Sequence, residues 1–214
     1  MKSLRTVLAA SLLSSIFSVA GLASASEAPG GAVLAKVTAT QAAERDLWVG
    51  HIFWVREVVR GLAEKNQAAA DFAEKQVVAN AKQLAGAIEP FYGKAASDQL
   101  FKLLAGHYTA VKAHATATVA GDAAGAKKAI ADLTANANEI AKFLSGANPN
   151  LPEATLKSLL AAHGGHHVQQ NQQFAAHDMA GEARTWEAMK SHIYTLADAL
   201  IGGIAKQFPD KFQQ

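Results

Sequence analysis

The chain has 214 residues, half of them hydrophobic, with a net charge of only +2 and no cysteine. That length supports one sizeable core, and the near-neutral balance gives no electrostatic case for nucleic acid. The missing cysteines exclude disulfides, thiolate ligands and a thiol nucleophile.

The N-terminus reads as a secretory signal peptide over residues 1–25. Lys2 and Arg5 form a basic start, an apolar run follows from Val7 to Leu22, and Ala23-Ser24-Ala25 supplies a small-x-small cleavage site. Removal would leave a chain of about 189 residues from Ser26 with a net charge of zero. No later stretch approaches the roughly 20 apolar residues of a membrane span. The expected location is therefore periplasmic or secreted, without a span after processing, and a homodimer is left open.

Residues 26–32, containing "SEAPGG", read as a flexible lead-in to a single helical-bundle domain over 33–214. Alanine-rich segments with apolar residues three and four apart predict an all-α, up-and-down bundle of about six helices. Their expected spans are 33–64, 67–89, 95–119, 122–145, 152–174 and 177–206. The breaks are "KNQ", "EPFYGKAASD", "AGDAAG", "SGANPNLPE" and a weak one near Ala176; Pro152 suits a first helical turn.

A gapless shift of 56 residues places Ala79-Asn80-Ala81 on Ala135-Asn136-Ala137, Leu103-Leu104-Ala105 on Leu159-Leu160-Ala161, and His107 on His163. A weaker correspondence, at a shift of 141, joins "HIFWVREVVRG" from His51 to "HIYTLADALIG" from His192. Together these predict an approximate internal two-fold repeat, with the first helix matching the last.

The eight histidines then divide. His51, His107, His163 and His192 fall on apolar stripes of four helices, and Asn80 and Asn136 occupy equivalent stripe positions on two others. A buried imidazole or amide without a partner costs roughly 1–3 kcal/mol, so such groups are expected to meet. Four neutral ring nitrogens can then face one ion, with Asn80 and Asn136 holding the second nitrogens. His167, one turn beyond His163, joins if the helix runs through Gly164-Gly165, at roughly 1 kcal/mol per glycine. His114 shares a face with His107, and Glu139 is the best inward carboxylate. His166 and His177 read as polar-face residues.

Imidazole ligands suit zinc, copper, nickel or iron; non-covalent haem held by two histidines is a variant. No Glu-x-x-His, His-Glu-x-x-His or Cys-x-x-Cys-His pattern occurs, removing the di-iron carboxylate, zinc-protease and covalent-haem arrangements. The resulting expectation is an exported metal-binding bundle serving sequestration, storage or transfer. The alternative is a structural or interaction bundle with a hydrogen-bonded histidine layer and no metal. An enzymatic role ranks third, because it needs a coordination position open to water.

The segments "HIFWVREV", "ANPNLP" with a later histidine, and "GGIAKQFPDKF" resemble a group of exported bacterial helical-bundle proteins. The resemblance implies the helical fold and export, and no particular activity.

Overall fold

The computed structural model describes residues 29–213; the expected signal peptide lies outside them. Among the described residues the chain is helical throughout. The long helices are α1 (Pro29–Ala63), α2 (Gln67–Ala87), α4 (Lys94–Val119), α5 (Ala123–Ala147), α6 (Glu153–Ala175) and α7 (Met179–Gln207). A single turn, α3 (Glu89–Tyr92), and a closing 3-10 turn at Pro209–Phe212 complete the order. Helix α1 starts at Pro29, within the segment expected to be a lead-in. No helix among the described residues is long and apolar enough to cross a membrane.

Each hairpin turn is built by the same local chemistry. Lys65, Gly121 and His177 adopt left-handed backbone, with φ of 56°, 71° and 56°. The next residue caps the following helix: Asn66, Asp122 and Asp178 accept hydrogen bonds from the backbone N–H of Ala69, Gly125 and Gly181. A side-chain acceptor at this position satisfies one of the free donors of a helix start. All these positions recur every 56 residues.

The repeat is therefore a triple one, and this corrects the expected two-fold. The hairpins α1–α2, α4–α5 and α6–α7 are successive copies, so α7 corresponds to α2 and α5 rather than to α1. Contacts run α1 to α2, α2 to α4, α4 to α5, α5 to α6, α6 to α7 and α7 back to α1, closing a ring. Helices α1, α4 and α6 also touch one another inside it. They run parallel, because each is separated from the next by a returning helix.

Residues 56 apart form layers of three down the shared axis. Glu44, Leu100 and Leu156 form one. Below it come Trp48 with Leu104 and Leu160, then His51 with His107 and His163, then Val55 with Val111 and His167. All but Glu44 are buried. The apolar layers belong to two contiguous clusters above and below the histidines.

A polar contact fastens α7 to α1 lower in the bundle. Arg56 Nε and Nη2 donate to Glu182 Oε1 and Oε2 at 2.6 and 2.5 Å, Gln170 donates to the same carboxylate at 2.9 Å, and Glu182 is 2 % exposed. The guanidinium also lies over the Phe174 and Trp186 rings. Removing one partner of such a pair leaves the other charge in a poor solvent. Glu182→Ala is expected to cost about 3 kcal/mol in a urea melt; a loss under about 0.5 kcal/mol would show that Arg56 finds adequate hydration elsewhere.

A candidate metal centre of four histidines

His51, His107 and His163 come from the three inner helices, at the same level of each. Their ring centroids form a triangle with sides of 6.2, 5.8 and 5.4 Å. His167, one turn below on α6, closes the figure at 4.6 Å from His163, 5.8 Å from His107 and 6.0 Å from His51. The four rings thus mark the corners of a tetrahedron. One ring nitrogen from each lies within 4.8 Å of all the others. His163 and His167 Nε2 atoms are 3.2 Å apart, close to the roughly 3.3 Å edge of a tetrahedron with metal–nitrogen bonds of about 2.0–2.1 Å.

Helix α6 presents two corners because it continues unbroken through Gly164-Gly165. His167 occupies the layer position held by Val55 and Val111 in the other copies.

Each of the four side chains is almost wholly buried, at 3 % exposure or less. Both ring nitrogens of His51 and of His107, and Nδ1 of His163, lack a hydrogen-bond partner. Burial pushes His51 down to about 3, with the nearby His107 adding to the effect, and pushes His107 down to about 4. The Asn136 side chain interacts with the His107 ring and opposes the shift. His163 and His167 are held well below the ordinary imidazole value, by burial first and then by the neighbouring histidines. All four rings are therefore neutral near pH 7, the form that offers a lone pair to a metal.

The other expected site residues lie elsewhere. His192 is half-buried and outside the tetrahedron, with Nε2 2.9 Å from the Leu159 carbonyl and its ring 6.5 Å from that of His163. Asn80 and Asn136 are its counterparts, donating to the carbonyls of Leu47 and Leu103 at 2.9 and 3.0 Å. These three contacts each tie an outer helix to the inner helix one turn before a cluster histidine. Both asparagines thus grip backbone through Nδ2, and Asn136 also interacts with the His107 ring, as expected of it, while no such contact joins Asn80 to a cluster ring. Gly50 and Gly106 permit the approach: a Cβ there would sit 3.1 and 3.0 Å from the asparagine Nδ2.

His114 is buried one layer lower, where its Nδ1 lies 2.9 Å from Asn171 Nδ2. Glu139 is exposed on the outer face of α5. Among the described residues no carboxylate joins the group. His166 is half-buried beside His192, and His177 is the exposed left-handed residue of its hairpin turn.

An apolar chamber of about 80 Å³ lies above the histidine triangle, lined by the layers above it and by His51, His107 and His163 but not by His167. Half-buried Thr40, Glu44, Phe91 and Tyr92 line its outer end. Burial raises the Glu44 carboxyl from 4.5 to about 7. The chamber falls short of the roughly 300–1,000 Å³ of drug-sized ligand pockets, and the rings pack against one another.

No protein-family model, curated protein or solved structure matches the chain. What the fold and site define is a class: an all-α bundle with a buried cluster of four histidines that can hold a metal ion.

If the fourth corner is a ligand added to an otherwise apolar layer, it can be reverted. His167→Val restores the residue type of the equivalent positions 55 and 111. It should leave a folded protein of equal or higher melting temperature and a three-histidine site at least tenfold weaker for metal, read by competition with a chromogenic chelator. Unchanged affinity would place His167 outside the coordination sphere.

Proposed function

We propose that this protein binds one transition-metal ion through His51, His107, His163 and His167, and that it sequesters, stores or transfers that ion after export. The observation that carries the reading is the tetrahedron of neutral rings with unpartnered nitrogens. Each unsatisfied buried polar group costs roughly 1–3 kcal/mol, and among the described residues neither ring nitrogen of His51 or His107 makes a well-formed hydrogen bond. Metal coordination recovers that cost. A purely structural layer would require the rings to bond one another, and only the His163–His167 pair is within hydrogen-bonding distance. The donor set suits zinc, copper, nickel or iron. Export is supported by the signal-peptide pattern of residues 1–25.

The test is elemental analysis of untagged protein purified from the exported fraction of its own cell, followed by melts with each ion. About one metal per chain is expected. Saturation at a hundred times the dissociation constant stabilises by about 2.7 kcal/mol, which for a chain of this size raises Tm by about 6–10 °C. Metal-free protein that no ion stabilises would return the histidines to a structural role.

A further inference from the structure

A divalent ion held by four neutral imidazoles keeps its full double charge. In this centre that charge would sit in an apolar core, where an uncompensated ion is strongly disfavoured. No carboxylate belongs to the group. The carboxylate facing the same chamber, Glu44, precedes His51 by seven residues, which is about 10 Å along the helix, beyond coordinating reach. Among the described residues no other carboxylate faces the centre, so an anion from solution could supply the balancing charge.

The layers show where it enters. His167 approaches from below, so the triangular face of His51, His107 and His163 is the one turned to the chamber. Zinc held by three protein ligands keeps an open position and can expand to five-coordinate, whereas four-ligand sites are ordinarily closed; a further ligand here would have to enter through this face. Above it the walls are aliphatic and aromatic, including Leu100, Leu156, Leu196, Ile201, Ile204 and Phe91. With an ion bound, the space would have one cationic pole, largely apolar sides, the Glu44 carboxyl at its outer end and room for only a few carbon atoms.

We propose that the chamber is a binding site for a short-chain aliphatic carboxylate, its head on the metal through the His51–His107–His163 face and its tail among the leucines. This rests on the metal reading, and the two can fail separately. A carboxylate supplies the negative charge the histidines lack, and its tail replaces empty space with packed apolar contact. A bare inorganic anion supplies only the charge.

The experiment uses the full processed chain loaded with one equivalent of cobalt(II), whose visible absorption reports coordination number. Formate, acetate, propionate and butyrate are titrated in turn, with azide as the tailless control. The expected result is a saturable change toward the weaker five-coordinate spectrum, with one anion per cobalt. Affinity should rise roughly fourfold per added methylene until the chamber is full, and Leu156→Phe should weaken butyrate at least tenfold while cobalt stays bound. Cobalt bound with no spectral response to any anion would overturn the carboxylate site and leave the metal reading standing. Equal affinity along the series would also overturn it, because the tail would then not enter the chamber. Failure to bind cobalt, zinc, copper, nickel or iron would overturn both.

Discussion

Replacing His107 with alanine is expected to abolish stoichiometric metal binding, whereas His192→Ala and His114→Ala should change affinity by no more than a few-fold. His107 supplies one corner of the tetrahedron, 5.4–6.2 Å from the other three rings, and no spare carboxylate can replace it. Losing residues that merely orient a ligand typically costs 10–100-fold in affinity, so loss of the ligand itself should cost more than a hundredfold. His192 ties α7 to the Leu159 carbonyl and His114 bonds Asn171; neither belongs to the set of rings whose nitrogens lie within 4.8 Å of one another. Without metal, His107→Leu should melt within a few degrees of the parent, because it exchanges an unpartnered polar ring for an apolar one of similar size. The contrast separates ligation from packing. Full metal binding by His107→Ala, with loss in His166→Ala, would move the site to the 163–177 segment.

The metal-free protein should lose its fold steeply in mild acid. Histidines in the unfolded chain titrate near 6.5, whereas folded His51 and His107 titrate at about 3 and 4 and the other two well below the ordinary value. Between those limits the unfolded state holds more protons, so stability rises with pH there and falls as acid is added. Each histidine contributes about 1 kcal/mol over the first pH unit below 6.5 and about 1.4 kcal/mol per unit beyond it, so four contribute about 4 kcal/mol over the first unit. That approaches the lower end of a whole domain's stability. Glu44, raised to about 7, acts in the opposite sense from 4.5 to 7, but as one proton against four. Urea midpoints at half-unit steps from pH 8 to 4 should therefore hold nearly level above 7 and collapse between 6.5 and 5. Because ligation requires the neutral rings, saturating metal should shift the collapse to lower pH. A profile flat down to pH 5 would mean the rings are solvated rather than buried.

The helices were legible because alanine-rich apolar periodicity, broken by short segments such as "KNQ" and "AGDAAG", is a local signal. The gapless helix through Gly164-Gly165 was legible from its counterpart Tyr108-Thr109, which lies in an uninterrupted pattern. The symmetry was only partly so. His51, His107 and His163 stand 56 apart, as do Asn80, Asn136 and His192, but the last step replaces an amide by an imidazole. Identity is lost there while the job of reaching an inner-helix carbonyl persists. Matching His192 to His51 by residue type produced a two-fold and put the wrong fourth ring in the cluster. His167 was harder to read, since its equivalents are Val55 and Val111 and its signal is only its four-residue step from His163. Glu139 looked inward by spacing from Asn136, yet Asn136 is only half-buried, at the edge of a buried face formed by Ala137, Ile140 and Ala141, and Glu139 falls on the exposed side of it. The chamber has no sequence signature, because it arises where the two leucine-containing layers above the histidines fail to fill the space between parallel helices.

The most direct measurement is an anomalous-difference map from crystals of the protein loaded with zinc, collected on both sides of the absorption edge. The account predicts a single peak inside the His51–His107–His163–His167 tetrahedron, with four nitrogens at about 2.0–2.1 Å. A peak elsewhere, or density shared with His192 in place of His167, would contradict it.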